Sequence, residues 1–358
     1  MHRGFAALAA GMLLTIAIPA IAQAQPRNLP ITGKAFEHQH SKLRLPGELL
    51  GFRMTRLIEN APDQLDVVAL WDSPDNKEAI SVYVYRFVLG AVPVWFDRAR
   101  VAIETRADVY GSVTRLPGAM AFVPPGQSTA SGLATTYATQ GRFRSTGVAL
   151  LPMGEWLVKV RYSSATLAPE QLAPRVQAVL AALTWPDKIG AAPAAVPIEP
   201  CATPLIFAGK ANPAKQDSGS ALMAALMATA EGAKDDPVKR PAAPASWCRD
   251  PALVEAGAVY RPDASASSYL IAINDAGRGV RVGPNLASAI LAKDMKRDSK
   301  PSWSIGMIEL ARHINFPAVD RLPAPQQVID IIKQGRYDSM VTSWGKKRDV
   351  QLHPDALK

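Results

Sequence analysis

Few side chains in this 358-residue chain combine the types and spacings that chemistry needs. The two cysteines, Cys201 and Cys248, have no companion ligands at zinc spacing, neither a C-x-x-C nor an H-x-x-x-H. A nucleophilic thiol would need a neighbouring base and would have to stay reduced. In an oxidising compartment an even pair becomes a crosslink. A Cys201–Cys248 disulfide is therefore predicted.

Beyond residue 24 the histidines are His38, His40, His313 and His353. On an extended backbone His38-Gln39-His40 would point both imidazoles one way, as a metal site needs. No third ligand accompanies them, and the pair reads as part of a mobile polar tail. His313 follows Arg312 near a strand end, tied to no serine or carboxylate. The chain has no G-x-S-x-G elbow, H-E-x-x-H, P-loop or dinucleotide fingerprint. No catalytic residue, metal ligand or cofactor is assigned.

A cationic cluster is the remaining candidate. Leu151-Pro152-Met153-Gly154 reads as a tight turn joining strands 142–150 and 154–162. Pairing Leu151 with Gly154 sets Arg144 opposite Arg161, with Lys159 beside them opposite Thr146. Like charges across a ladder are unfavourable unless solvent, a carboxylate or an anion separates them. Guanidinium forks suit carboxylate and phosphate oxygens. Arg144, Lys159 and Arg161 are thus the candidate anion-binding residues; the other reading has them splayed into water or paired with nearby carboxylates.

These residues need elements to hold them. Strand patterns cover 51–59, 65–71 and 79–88. Phe96, Ala99, Ile103, Ala107 and Tyr110 recur at helical spacing, with Asp97, Arg98, Arg100, Glu104 and Asp108 on the other side. Strands at 111–123, 132–140, 142–150 and 154–162 follow. A closing helix runs through Leu172, Val176, Val179, Leu180 and Leu183, its start blurred by Pro174. Within 79–88, Tyr83, Tyr85 and Phe87 face one way and Val82, Val84 and Val88 the other, so both faces of an antiparallel sheet are buried, with helices on both sides. In this order and patterning residues 45–187 resemble the PsbP-like α-β-α sandwich. That resemblance implies an α+β domain of a kind used mainly by non-enzymatic binding and assembly proteins.

Residues 188–250 hold 17 alanines and 8 prolines and read as a linker or wrapping segment carrying one helix near 218–232 and closed by the disulfide. The methionines Met223 and Met227 of that helix are read as packing on a neighbouring domain. Residues 251–358 form a smaller α+β unit. Its hairpin pairs 268–274 with 279–283, and helices at 285–293 and 325–334 accompany strands at 303–310 and 337–344.

At the N-terminus, Arg3, the apolar run from Phe5 to Ile21 and the small residues Ala22-Gln23-Ala24 form a cleavable secretory signal. A tail over 25–44 follows it. The apolar run is shorter than the roughly 20 residues a spanning helix wants, so the expected chain is periplasmic or secreted and not integral to the membrane. The net charge of +9 is spread over the chain, with +1 in residues 1–24, +3 in 25–44, 0 in 45–187, +1 in 188–250 and +4 in 251–358. Nucleic acid is an unsuitable partner for so dispersed a charge in an exported protein. The one basic run, Lys346-Lys347-Arg348, reads as a solvated loop, with anionic lipid head groups as its other partner. The reading that follows is a non-catalytic envelope protein, binding an envelope partner or an anionic small ligand. The alternative is a hydrolase with a site assembled from dispersed residues.

Overall fold

The alternating pattern of residues 52–86 builds the first three long strands of the N-terminal sheet. The computed structural model describes residues 25–358 except 119, 215–217, 232–243, 253, 255–256, 295–299 and 358, so residues 1–24, expected to be a secretory signal, lie outside it. Four short strands open the chain: β1 (Arg27–Asn28), β2 (Phe36–Glu37), β3 (Arg44–Leu45) and β4 (Glu48–Leu49). Then come β5 (Phe52–Ala61), β6 (Asp66–Asp72), β7 (Glu78–Arg86), α1 (Val92–Glu104) and α2 (Ala107–Tyr110). The unit continues with β8 (Val113–Arg115), β9 (Ala121–Phe122), β10 (Gly132–Thr139), β11 (Ser145–Met153), β12 (Trp156–Ser164) and α3 (Pro169–Ala182). The sheet order is β1-β5-β6-β7-β12-β11-β10-β8, with β4 and β9 on its edges and every pairing antiparallel.

The pleat of β7, β11 and β12 sends alternate residues into two cores. On one face Val82, Val84, Ala149, Leu151, Val158 and Val160 meet Leu172, Val176, Val179 and Leu180 of α3. Pro174 lies inside α3 without ending it. On the other face Tyr85, Val148, Leu150 and Leu157 meet Val94, Trp95, Phe96, Ala99 and Ile103 of α1. The same cluster takes in Tyr260, Leu270 and Ala272 of the C-terminal unit, so α1 is a layer shared by two sheets. Part of the polar side of α1 therefore faces protein: Asp97 and Arg98 are both buried.

The C-terminal sheet is a meander in chain order: β13 (Glu199–Pro200), β14 (Trp247–Asp250), β15 (Gly257–Pro262), β16 (Tyr269–Ile273), β17 (Arg278–Pro284), β18 (Trp303–Ile308), β19 (Arg312–Val319), β20 (Ser339–Thr342) and β21 (Val350–Leu352). Its helices are α4 (Ser218–Glu231), α5 (Leu286–Asp294) and α6 (Pro325–Lys333). Val328 and Ile329 of α6 close the core over Val259, Ile271, Val280, Ile305 and Phe316.

Two divisions of the chain are corrected here. Residues 188–250 are more than a linker, because β13 and β14 pair in parallel at the sheet edge and Leu205 and Ala211 enter its core. Cys201 and Cys248 are joined, with Cα atoms 4.9 Å apart, and the Cys201 amide donates to the Arg249 carbonyl. Nor do residues 25–44 form a free tail. Arg27 and Asn28 extend the N-terminal sheet, β2 and β3 form a hairpin, and Leu43 and Leu45 are fully buried.

Candidate functional site

The β11–β12 hairpin decides the fate of the predicted anion patch. Its turn is Gly154-Glu155, with Gly154 at φ +64°, the left-handed backbone a two-residue hairpin requires. Met153 pairs with Trp156 and Val148 with Arg161. Each residue of β12 thus lies four places along β11 from the partner expected of a turn at Pro152-Met153: Arg161 faces Val148 rather than Arg144. Arg144 falls outside the paired segment and is exposed. Lys159 and Arg161 keep a common face, but it is the face that receives the C-terminal unit. Asp275, at the tip of the β16–β17 hairpin, reaches both: its Oδ2 is 2.8 Å from Lys159 Nζ and 3.0 Å from Arg161 Nη2. Lys159 Nζ also donates to the Asp275 carbonyl and lies 4.3 Å from the centre of the Tyr83 ring. Burial alone would raise the Asp275 carboxyl; the two cations outweigh it and hold the group well below the usual carboxylate range. The anion between the cations is the protein's own.

Similar contacts tie the units together around α1. Tyr260 donates to Asp97 Oδ2 at 2.8 Å, Arg249 Nη1 lies 3.2 Å from the same oxygen, and Arg98 donates to the Asn274 carbonyl. Arg86 of β7 donates to the Leu310 carbonyl at 2.6 Å. With both units fixed, the space left beside Arg86 has defined walls.

That space is an open cleft of about 500 Å³ at the junction of the units. His40, Asp63, Arg86 and Glu155 line it from the N-terminal unit; Ser343, Trp344, Lys346 and Arg348 line it from the C-terminal unit. Trp344 and His40 give it an aromatic wall. Their rings meet edge to face at 4.9 Å, and His40 stacks on Trp156 at 5.9 Å with planes 4° apart. The Arg86 guanidinium covers the Trp344 ring at 4.8 Å. Asp63 joins the two aromatics: its carboxylate accepts from Trp344 Nε1, and His40 Nε2 lies 3.3 Å from Oδ1. Asp63 and Gln64 both adopt left-handed backbone, φ +58° and +54°, which sets the carboxylate at the tip of the β5–β6 turn. Such an arrangement can stack a flat or apolar body and offer cations to an anionic group on it.

His38 is the other half of the expected histidine pair, and it is fully buried. Its Nε2 bonds the Gln64 carbonyl at 2.7 Å, which fixes the proton there. Nδ1 is left to accept from Ser41, 2.8 Å from Oγ and 3.1 Å from the backbone amide. Both ring nitrogens are committed within a tight turn, so this Ser–His contact is structural and lies outside the cleft. Among the described residues no group of three or more His, Cys, Asp or Glu side chains forms a metal site. None of their helices is long and apolar enough to cross a membrane.

Sequence reasoning missed the cleft because His40, Asp63, Arg86, Glu155 and Trp344 come from distant segments. Two local signals lay in its walls: the His38-Gln39-His40 spacing, which marked the right segment for the wrong chemistry, and the basic run Lys346-Lys347-Arg348, read as a solvated loop, of which Lys346 and Arg348 line the cleft. No family model matches the chain, and no curated protein matches it either.

Proposed function

We propose that the protein is an exported, non-catalytic envelope protein that binds an anionic ligand in the cleft between its two units. The observation that carries this reading is the cleft wall itself, where Trp344 and His40 from different units meet and share Asp63. A groove of aromatic rings flanked by Arg86, Lys346 and Arg348 suits a small molecule or an acidic partner segment with a planar or apolar body. The non-catalytic part of the reading is supported by the commitment of His38 and Ser41 to a turn. It is supported further by the order of the N-terminal elements, β-β-β-α-α-β-β-β-β-β-α from β5 to α3, which is the PsbP-like β-β-β-α-β-β-β-β-α with one short helix and one short strand added, and by the packing of α1 and α3 on opposite faces. Export is supported by the signal-like residues 1–24 and by the Cys201–Cys248 disulfide.

A thermal-shift screen of aromatic carboxylates, sugar phosphates and acidic peptides tests the site. A ligand that binds the folded state raises the melting temperature by mass action. Ligands that shift the wild type should shift neither His40→Ala nor Trp344→Ala. Shifts that both variants retain in full would remove the cleft as the site.

A further inference from the structure

Helix α4 is packed the wrong way round for a helix that serves only its own core. It buries its small residues Ala221, Ala225 and Ala228, the last two against Val341 and Leu352. Its large residues Leu222 and Leu226 are 45% and 52% exposed. Its neighbour α5 repeats the inversion, burying Ala287 while Leu286 and Ile290 are 54% and 47% exposed. The two helices pack side by side. Four of the nine large apolar side chains most exposed on the described surface thus sit on one helix pair.

The chemistry around the pair narrows what can cover it. Leu286, Ile290 and Lys293 stand at i, i+4 and i+7, so an exposed ammonium lies in line with the aliphatic stripe of α5. A lysine there can lay its stem on an apolar surface and keep its charge in a polar layer. Residues 251–358 carry fifteen Lys and Arg against eleven Asp and Glu, so the unit that bears the helix pair is itself basic. Four half-exposed aliphatic side chains present roughly 200 Å² of apolar area, against about 800 Å² that each partner of a stable dimer buries. A bilayer interface makes no such demand, since each inserted side chain and each nearby cation adds its own share.

We infer that the α4–α5 face is a docking surface for an anionic membrane, with Leu222, Leu226, Leu286 and Ile290 entering the boundary below the head groups and Lys293 at its rim. This holds the protein on a membrane without a spanning helix, and it is independent of what the cleft binds.

The test is flotation of the full chain with vesicles of phosphatidylglycerol and phosphatidylcholine in equal parts, and with vesicles of phosphatidylcholine alone. The protein should float with the anionic vesicles, and less so as salt screens the attraction. Leu226→Glu with Ile290→Glu should weaken that binding by about tenfold or more, with the melting temperature unchanged because both side chains face outward. If the charged pair disturbs folding, Leu286→Ser with Ile290→Ser on α5 alone should show the same direction of loss. No flotation with the anionic vesicles, or flotation that folded variants retain, overturns the inference. So does a wild-type dimer in light scattering that the variants dissolve, since the patch would then belong to a second copy.

Discussion

The Asp275 carboxylate lies 2.8 Å from the Lys159 ammonium, across the junction of the two sheets. Asn274 and Gly277 hold that hairpin tip in left-handed backbone, φ +54° and +80°. A Cβ on Gly277 would meet the Arg86 carbonyl at 3.0 Å and the Tyr85 ring at 3.1 Å, so only glycine lets the tip sit this close. The contact unites strands more than a hundred residues apart in sequence.

Removing the charge from the tip should loosen the junction. Asp275→Asn leaves Lys159, almost fully buried, without a counter-ion, and is expected to cost about 3 kcal/mol in urea unfolding. Because the Asp275 carboxyl is held below its unfolded value, its contribution is present above the ordinary carboxylate range and disappears only as pH falls through the lowered folded value. The variant should also gain a phosphate-dependent rise in melting temperature that the wild type lacks, since Lys159 and Arg161 would be open to an added anion. An unchanged urea midpoint would show that the ion pair contributes nothing net. Arg144→Gln, by contrast, should leave stability within about 0.5 kcal/mol of the wild type, as an exposed position does.

The crosslink gives a second prediction. Cys201 and Cys248 are 47 residues apart in sequence, and chain entropy assigns the closed loop about 4 kcal/mol. Replacing both by Ser should lower stability by that order. The β13–β14 pairing should survive, because Cys201 N still reaches the Arg249 carbonyl. Melting with and without reductant checks the size of the effect, and identical curves would contradict it.

Burial holds the His38 imidazole down at about 4, against an ordinary 6.5. The unfolded chain takes up its proton near the ordinary value, and the folded chain only near the lowered one. The stability this group contributes is therefore present above about pH 6.5 and is lost as pH falls through about 4, amounting to about 3 kcal/mol. His38→Asn keeps an acceptor near the Nδ1 position and cannot titrate. Urea unfolding across that window should show a shallower loss in the variant than in the wild type.

Asp338 works in the opposite sense. Burial lifts its carboxyl to about 6, so its contribution is present below the ordinary carboxylate value and is lost as pH rises through about 6. Asp338→Asn should raise stability at neutral pH by about 2 to 3 kcal/mol and give no gain near pH 4. A destabilised variant at neutral pH would mean that the charged form is held by partners that offset its burial.

Much of this architecture is written locally. The period-two pattern of Tyr83, Tyr85, Val82 and Val84, and the helical repeat through Leu172, Val176 and Val179, locate their elements to within a few residues. Two alternating faces fix which side meets which helix. What was not legible depends on distant pairing. β19 carries Pro317 and β15 ends at Pro262, so neither shows a clean strand pattern, and each is held by neighbours on both sides. The β11–β12 register turned on whether Pro152-Met153 or Gly154-Glu155 forms the bend, and only the glycine supplies the positive φ. His38 and Asp97 looked solvated because nothing local announces the layers that bury them. The cleft is the extreme case: Asp63 and Trp344 lie 281 residues apart, and their bond exists only once both sheets are docked.

Site-specific photocrosslinking in the cleft tests most directly whether it holds a ligand in the cell envelope. A photoreactive residue in place of Lys346 lines the cleft, and one in place of Ile31 sits on the exposed N-terminal edge as a control. Illumination of cells making each protein, followed by mass spectrometry, should give a discrete adduct from position 346 and none from position 31. That adduct should vanish when Trp344→Ala is added. No adduct at position 346, or one that persists without Trp344, would contradict the account.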